Sequence, residues 1–452
     1  MDHGIRRAQR PARPPWHDFG HLHRLFGRDI LAGLTFIHQR YGDFVRTRLP
    51  LHLYFVADPQ VIDEILVKKA DSFHKDHTSR LLSRMIGNGL LVNEGASWRR
   101  QRRLLQPAFH HQQLQSYAAL MVQAIEQAAA GWRAGEVRNV HEDMMGVTMR
   151  IVAGTLFGAD VSASARDLGG VISSMMEEFT RLLGLAGRFA PPLWVPTPSN
   201  RRFRRSARRV ESVILQIIEA RRNSGAAGDD LLSLLIRARD EEGGEMTDAQ
   251  VRDEALTLFL AGHETTALAL TYALHLLARH PERQARLADE LRTVLGQRSP
   301  TLADLEQLRF TEMVILETMR LYPPAWAMGR RAIADVEIGG YRLPKGSEFV
   351  LSPWVVHRDP RWFDAPDEFR PERWEGELAQ RLPRFAYFPF GGGPRVCIGN
   401  RFAMMEAKLV LAAARQRFRF APAGPGGDIL TLAPSVTLRP RGPVSLRLEP
   451  AA

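Results

Sequence analysis

The chain of 452 residues contains only one cysteine, Cys397. A lone thiol excludes an internal disulfide and a four-cysteine zinc site, so chemistry at this residue must use a single sulfur atom. The chain also lacks any apolar run that approaches the ~18 residues of a transmembrane helix. Its N-terminal residues carry no apolar stretch of the kind that marks a signal peptide. We therefore expect a cytoplasmic protein without a membrane span.

Low-complexity linkers and repeats of fixed period are absent as well. A single domain over residues 1–452 is therefore predicted, with residues 1–20 as a flexible N-terminal segment. The hydrophobic content of 45% is sufficient for a large core. We expect the protein to be a monomer.

The formal net charge of +11 could indicate a nucleic acid or an anionic membrane as a partner. The basic residues are mostly scattered among acidic ones, however, and this distribution argues against a nucleic-acid-binding surface. Two local clusters consist of Arg99, Arg100, Arg102 and Arg103, and of Arg201, Arg202, Arg204, Arg205, Arg208 and Arg209. The second cluster is interpreted as the solvated face of a helix, with contact to an acidic protein or lipid headgroups as the alternative.

Hydrophobic periodicity predicts a mainly α-helical fold with a smaller β-rich part. Helices are predicted over residues 58–70, 98–108, 114–130, 144–157, 168–185, 203–222, 247–279, 281–295 and 312–321. Hairpins are predicted over residues 44–56 and 336–343, and strands over residues 430–448. The weak pattern over residues 73–95 indicates a flexible loop. A capping box from Thr247 to Gln250 is expected to begin the longest helix, which should cross the core.

The sequence around Cys397 has features that suit a thiolate ligand. It reads Phe390-Gly391-Gly392-Gly393-Pro394-Arg395-Val396-Cys397-Ile398-Gly399 and is followed by a run of helix formers. Glycine allows the backbone to approach a flat cofactor closely, and the N-terminus of a helix stabilises an anionic sulfur. The alternative is an ordinary buried cysteine in a turn, which this combination of residues disfavours.

This segment resembles the haem-binding loop of the cytochrome P450 monooxygenases, because it matches Phe-x-x-Gly-x-Arg-x-Cys-x-Gly at every fixed position. The resemblance implies the cytochrome P450 fold, with a long central helix over the cofactor haem b. It also implies that Cys397 is the axial ligand of the haem iron, and that Phe390, Arg395 and Gly399 contribute to haem binding. A thiolate ligand favours cleavage of the O–O bond of bound dioxygen.

The longest predicted helix carries polar residues where apolar ones are expected. Gly262, Glu264 and Thr265 lie in its central, otherwise apolar part, where buried polar groups need a partner or a purpose. Glycine would permit a local widening of the helix, and a carboxyl group beside a hydroxyl can deliver protons to dioxygen. Glu264 and Thr265 match the acid–alcohol pair of the family, while a simple kink with satisfied polar groups is the alternative. A zinc-peptidase motif starting at His263 is excluded, because Ala267 occupies the position of its second histidine.

Two further patterns resemble family motifs. Trp98 and Arg102 share one helix face, and the resemblance implies that they bind a haem propionate. For a further propionate contact we favour Arg330 over Arg331. Glu317 and Arg320, together with Arg373, match a buried structural network of the family. Taken alone, each pattern is also explained by an amphipathic surface helix or by a surface ion pair.

The predicted function is insertion of one oxygen atom of O₂ into a hydrophobic small molecule such as a terpenoid, a fatty acid or a polyketide. Electrons would come from a separate ferredoxin or flavodoxin with its reductase, since the chain resembles no attached flavin or iron–sulfur domain. The pocket is expected to involve loops 73–95, 185–198 and 323–328, with Leu91, Ala261, Ala325 and Trp326 as lining residues. The alternatives are a peroxide-using or rearranging haem-thiolate enzyme, which should lack the Glu264–Thr265 pair, and a non-catalytic haem sensor.

Overall fold

The protein is described here by a computed structural model that covers residues 11–47, 53–158, 195–223, 230–376, 378–424 and 430–451. Within these ranges the chain is mainly helical. The α-helices are α1 (Trp16–Arg28), α2 (Ile30–Tyr41), α3 (Pro59–Asp63), α4 (His77–Leu81), α5 (Ser83–Ile86), α6 (Gly95–Leu105), α7 (His111–Ala129), α8 (Val140–Phe157), α9 (Pro198–Asn223), α10 (Leu231–Arg237), α11 (Asp248–Arg279), α12 (Pro281–Leu295), α13 (Arg309–Leu321), α14 (Pro353–Val356), α15 (Leu378–Arg381) and α16 (Asn400–Arg417).

The strands are short and belong to several small sheets. They are β1 (Phe44–Arg46), β2 (Leu53–Val56), β3 (Phe73–His74), β4 (Val137–Asn139), β5 (Met328–Ala332), β6 (Val336–Ile338), β7 (Tyr341–Leu343), β8 (Glu348–Leu351), β9 (Phe418–Pro422), β10 (Leu432–Pro434), β11 (Leu438–Pro440) and β12 (Ser445–Pro450). The mainly α-helical class with a smaller β part is thereby confirmed.

Contacts divide the chain into two compact units. The first contains the described residues up to Leu81 and those from Arg320 to Cys397. Its five-stranded sheet has the order β1-β2-β8-β5-β3, in which β2 and β8 are parallel and the other neighbours antiparallel. The strands β6 and β7 pair as the predicted hairpin.

The second unit contains the residues from Leu82 to Met319 and from Ile398 onward. The long helix α11 is buried on most of its surface and packs against α8, α9 and α16, so it forms the centre of this unit. Thr247 and Gln250 close the predicted capping box: each backbone N–H donates to the side chain of the other residue, at 3.0 and 3.3 Å. The strands β4, β12 and β9 form one sheet and β10 pairs with β11.

The prediction of one loop over residues 73–95 is wrong. This stretch contains strand β3 and the short helices α4 and α5. Asp76 accepts hydrogen bonds from the backbone N–H groups of Thr78 and Ser79, at 3.2 and 3.3 Å, and thereby caps α4. Such a cap supports a helix too short to show periodicity.

Two other expectations differ from the structure in part. The helix predicted over residues 58–70 begins as α3, but it becomes a π-helical turn over Glu64–Lys68. Helix α1 begins at Trp16, within the N-terminal segment that was predicted to be flexible. The helix predicted over residues 168–185 lies outside the described residues. In the described part of the chain, no helix combines the length and the apolar character needed to span a membrane.

Candidate active site

Cys397 lies in a tight loop of the first unit. Its backbone N–H donates to the carbonyl oxygen of Phe390 at 3.0 Å, and a short 3₁₀ turn over Gly393–Arg395 lies between these residues. Cys397 is exposed, and α16 begins three residues later at Asn400. An accessible sulfur that precedes a helix fits the donor set of a thiolate-ligated metal cofactor.

The glycines of this loop permit close packing. Gly391 and Gly393 have φ angles of +71° and +66°, in the left-handed region that favours glycine. A Cβ atom on Gly393 would overlap the carbonyl oxygen of Leu66, which belongs to the π-helical turn Glu64–Lys68. The loop is therefore held against a backbone segment of the same unit, at a distance that only glycine allows.

Two predicted cofactor residues of the first unit are buried to different degrees. Arg330 on β5 is 6% exposed, and its guanidinium donates to the carbonyl oxygen of Gly329 at 2.8 Å. Arg331, the next residue of the strand, is more exposed and lies opposite Glu348 of β8. Successive side chains of a strand point to opposite faces, so only one of these arginines can serve a given ligand. Arg395 is half-buried within the cysteine loop.

The predicted structural residues of the first unit bind one segment. The fully buried Arg320 donates to the carbonyl oxygens of His357, Pro366 and Glu368, at 2.9, 2.5 and 3.0 Å. Arg373 donates to the carbonyl oxygen of Asp364 at 2.9 Å. Both guanidinium groups therefore fix the segment 364–368. Glu317, the third member of the predicted network, belongs to the second unit and is fully buried on α13.

On α11 of the second unit, the predicted site residues differ in exposure. Ala261 is exposed and Thr265 half-buried, although most of the helix is buried. The hydroxyl of Thr265 donates to the carbonyl oxygen of Ala261 at 2.8 Å. The helix is α-helical throughout, so the local widening that Gly262 would permit is not present. Gly262 instead permits close packing, because a Cβ atom there would lie 3.0 Å from Val152 of α8.

Glu264 forms a buried ion pair that the sequence analysis missed. This residue is 2% exposed, and its carboxylate accepts hydrogen bonds from Nε of Arg439, at 2.5 Å, and from the hydroxyl of Thr437. Burial alone would raise the pKa of Glu264, but the hydrogen bond and charge of Arg439 lower it below its usual value. Glu264 is therefore a charged carboxylate next to the hydroxyl-bearing Thr265.

His263 differs from its acidic neighbour. It is 1% exposed, its Nδ1 lies 3.0 Å from the carbonyl oxygen of Phe259, and burial lowers its pKa. A neutral imidazole on the opposite side from the exposed Ala261 has no part in the predicted chemistry. This environment agrees with the exclusion of a zinc-peptidase site.

The other predicted residues of the second unit lie on three elements. Trp98 on α6 is 8% exposed and Arg102, one turn later, is half-buried. Gly399 is the N-cap of α16. Leu91, a predicted pocket residue, is half-buried in the turn before α6.

The remaining predicted pocket residues belong to the first unit. Ala325 is half-buried, whereas Trp326 is 8% exposed and its carbonyl oxygen accepts a hydrogen bond from the hydroxyl of Ser352 at 2.8 Å. Of the predicted loop 185–198, residues up to 194 lie outside the described part of the chain. The structure thus brings together Phe390, Arg395 and Cys397 in one unit, and Ala261, Glu264 and Thr265 in the other.

Several buried or half-buried polar residues have no counterpart in the sequence analysis. Arg439 and Thr437 come from β11 and the residue before it, and no motif near them signals a link to Glu264. Glu254 and Glu406 are fully buried carboxyl groups. An acidic residue within an apolar helical stretch was a usable signal for both.

Comparison with known proteins gives one consistent result. A family model described as "Cytochrome P450" matches residues 11–447. "Cyclooctatin synthase" of Streptomyces melanosporofaciens is 36% identical to the chain, with 99% of the chain and 97% of the relative covered. "Cyclooctat-9-en-7-ol 5-monooxygenase" of the same species and "Pentalenene oxygenase" of Streptomyces avermitilis are each 35% identical over 89% of the chain, and 87% and 89% of these relatives are covered.

Proposed function

The chain belongs to the cytochrome P450 family and is a haem-thiolate monooxygenase, and from this premise we propose that it oxidises a cyclic terpenoid. The substrate class rests on the relatives, whose printed names refer to cyclooctatin, cyclooctat-9-en-7-ol and pentalenene. The single observation that supports the chemistry is the exposed Cys397 within its matching glycine loop. Fatty acids and polyketides are the competing substrate classes.

We propose that the cofactor is haem b, with Cys397 as its axial ligand. When bound, haem supplies the activation of O₂ and the oxidation of the substrate. By resemblance to the family, its propionates would be bound by Trp98, Arg102, Arg330 and Arg395, and Phe390 and Gly399 would pack against it. Guanidinium groups suit this role because they bind carboxylates in a bidentate manner.

Glu264 and Thr265 are proposed to handle protons. The ion pair with Arg439 keeps the Glu264 carboxylate charged, so in a proton relay this group would first accept a proton and then pass it on. The Thr265 hydroxyl donates its hydrogen bond to the carbonyl oxygen of Ala261, which leaves the lone pairs of Oγ1 available to accept another hydrogen bond. The pair argues against the peroxide-using alternative, since that class does not need delivered protons.

The electrons are proposed to come from a small acidic ferredoxin or flavodoxin with its reductase. The net charge of +11 favours encounter with an acidic partner, and Arg99 and Arg103 on α6 are exposed. Glu317 and Arg320, which are buried, and Arg373, which is half-buried, are proposed to support the fold. The pocket lining by Leu91, Ala261, Ala325 and Trp326 also stays a prediction, as do the cytoplasmic location and the monomeric state.

The test is turnover of the haem-loaded protein with a supplied ferredoxin and reductase. Cyclic terpene hydrocarbons and alcohols should shift the haem absorption band and should yield products one oxygen atom heavier than the substrate. Cys397→Ser should remove both the carbon-monoxide difference spectrum of the haem-thiolate and all product. Binding of fatty acids or macrolactones in place of terpenoids would refute the substrate class, and an unchanged spectrum in the serine variant would refute the ligand.

A further inference from the structure

Two consecutive carboxylates of α11 bind one segment that precedes α6, residues 87–91. The backbone N–H of Asn88 donates to Oδ2 of Asp253 at 2.7 Å, and the N–H of Leu90 donates to Oε2 of Glu254 at 2.9 Å. Both carboxylates belong to the same unit as the segment. Segment 87–91 is therefore attached to α11 by two side-chain acceptors in adjacent positions.

Glycines bring this segment into direct contact with the helix. A Cβ atom on Gly87 would overlap the Asp253 carboxylate, and one on Gly89 would overlap the hydroxyl of Thr257. The same Cβ on Gly89 would lie 2.6 Å from the backbone oxygen of Asp253. The contact is thus a close fit between backbone and helix, and side chains larger than glycine would separate the two.

The two carboxylates have different charge environments. Asp253 is paired with Arg252, whose Nε and terminal nitrogen lie 2.9 and 2.6 Å from its Oδ1. Glu254 is fully buried, and among the described side chains it has no cationic partner. Its second oxygen, Oε1, accepts no hydrogen bond from any described residue. As long as segment 87–91 stays in contact with α11, no cationic side chain of the described residues compensates a negative charge on Glu254.

The pKa of Glu254 is raised to about 7: burial raises it most, the Leu90 N–H lowers it, and the neighbouring charge of Asp253 adds to the rise. Asp253 is the only ionisable group of the described residues that acts on it. Arg252 is occupied by Asp253 and by Glu211 of α9. In contact with solvent, the same carboxyl group would titrate near its ordinary value.

Glu254 also lies on the helix face that leads to the predicted pocket. It precedes the exposed Ala261 by seven residues, which is about two helical turns and thus the same face. Segment 87–91 includes Leu91 and leads into α6, which carries Trp98 and Arg102. A change in the position of this segment would therefore alter the substrate side of the proposed active site.

We propose that Glu254 is a positioning residue: its protonated form keeps segment 87–91 docked on α11, and its ionisation releases the segment. The affinity for the apolar substrate then depends on the protonation state of this one carboxyl group. The effect on substrate rests on the function proposed above; docking of the segment does not. The docked state binds a proton more tightly than the released state. Docking therefore weakens as pH rises from about 4.5 to about 7 and changes little above that range.

The primary test is hydrogen–deuterium exchange of the peptide that covers residues 86–94 in the haem-loaded, substrate-free protein. Protection factors, which correct for the intrinsic pH dependence of exchange, should fall roughly tenfold per pH unit between pH 5 and 7 and then level off. In Glu254→Gln the protection should be independent of pH, because the amide still accepts from Leu90 but cannot ionise. Asp253→Asn is the matched control: its protection should be lower and should still fall with pH, but it should level off at a lower pH than in the wild type, because the charge of Asp253 no longer raises the pKa of Glu254.

Gly89→Ala provides a second check that does not depend on titration. It should lower protection at every pH, because the added methyl group overlaps Thr257. A flat profile in the wild type, or an unchanged slope in Glu254→Gln, would overturn the proposal. If exchange behaves as expected while terpenoids fail to bind at any pH, the substrate class is wrong and the role of Glu254 in docking stands. If terpenoids bind, their apparent dissociation constant should rise over the same pH range in the wild type but not in Glu254→Gln.

Discussion

At the residue scale, neighbouring charges give three buried carboxyl groups different properties. Burial raises the pKa of Glu254 and of Glu406, which leaves both groups largely protonated at mildly acidic pH. Glu264 is equally buried but has Arg439 as a partner, and its pKa is lowered instead. Because of the Arg439 guanidinium, Glu264 is the only one of these three carboxyl groups whose pKa is lowered. This proposed member of the proton relay is therefore ionised at rest.

Removal of this guanidinium should destabilise the protein in a pH-dependent way. Arg439→Met leaves the Glu264 carboxylate buried without a cation, and at pH 8 we expect a loss of about 3–5 kcal/mol in the free energy of unfolding. At pH 5 the loss should be smaller, because the carboxyl group then takes up a proton and its charge disappears. Chemical denaturation at the two pH values measures the difference.

Two variants serve as controls for this experiment. Arg441→Met removes an exposed arginine two residues further along and should change stability little at either pH. The double variant Glu264→Gln/Arg439→Met should be more stable at pH 8 than Arg439→Met alone, since the buried charge is gone. Equal losses at both pH values would show that Arg439 acts through packing and not through the charge of Glu264.

The residues of this pair differ in how well the sequence reveals them. Glu264 and Thr265 were identifiable because an acid and a hydroxyl interrupt an apolar helix. Arg439 was not, since it is separated from Glu264 by 175 positions and no local pattern links the two. Partners of this kind are determined by tertiary packing, which a periodicity analysis does not contain.

At the scale of single elements, the cysteine loop depends on the π-helical turn Glu64–Lys68. Gly393 packs against Leu66 of that turn, whereas a Cβ on Gly391 would make only an ordinary van der Waals contact, 3.7 Å from the side chain of Met328. Both glycines have positive φ angles. Substitution of either glycine by alanine therefore introduces backbone strain, but only substitution of Gly393 also creates a steric overlap with Leu66.

Gly391→Ala should cost about 1 kcal/mol of unfolding free energy, the strain of an alanine in the left-handed region. Gly393→Ala should cost about 3 kcal/mol or more and lower the haem content, because either the loop or the turn must move. Denaturation and the ratio of haem to protein absorbance measure both effects. Similar losses in the two variants would contradict the importance of the Leu66 contact.

Elements were predictable where the local sequence determines them. The capping box of α11, the hairpin of β6 and β7, and the start of α16 all follow from residues within a few positions. The π-helical turn could not be predicted in this way, because it continues an ordinary helical pattern and packs against Gly393, which is distant in sequence. Helix α4 was missed for a related reason, since only the Asp76 cap identifies it.

At the scale of the whole chain, one charged cluster joins the two sequence segments that make up the first unit. His38 of α2 lies between two carboxylates, with Nδ1 3.2 Å from Asp43 and Nε2 3.4 Å from Asp359. Arg361 binds both carboxylates, including Asp43 at 2.7 and 2.8 Å across 318 positions of sequence. His38, Asp43 and Asp359 lie close enough to ligate one metal ion, but the guanidinium of Arg361 and the protonated imidazole of His38 together balance the charge of the two carboxylates.

The cluster makes the stability of the protein sensitive to alkaline pH. Burial lowers the pKa of His38, but the close contacts of its imidazole with the carboxylates of Asp359 and Asp43 outweigh this effect and raise it to about 9. The imidazole of His38 therefore binds its proton more tightly in the folded protein than in the unfolded chain. The stabilisation is complete below pH 6.5, declines as pH rises towards 9, and should be on the order of 2 kcal/mol after allowance for solvent screening.

His38→Gln should abolish this dependence, because glutamine keeps a polar side chain but carries no titrating charge. We expect the variant to be less stable than the wild type at pH 6, with the two approaching each other as the pH exceeds 9. His17→Gln is the matched control, since His17 lies in the same unit with its side chain 77% exposed, and its substitution should leave the profile unchanged. Urea denaturation between pH 6 and 10 measures all three proteins. A difference between wild type and His38→Gln that stays constant over this range would mean that His38 contributes shape to the cluster and no charge, in which case Arg361 alone would join the two ends of the unit.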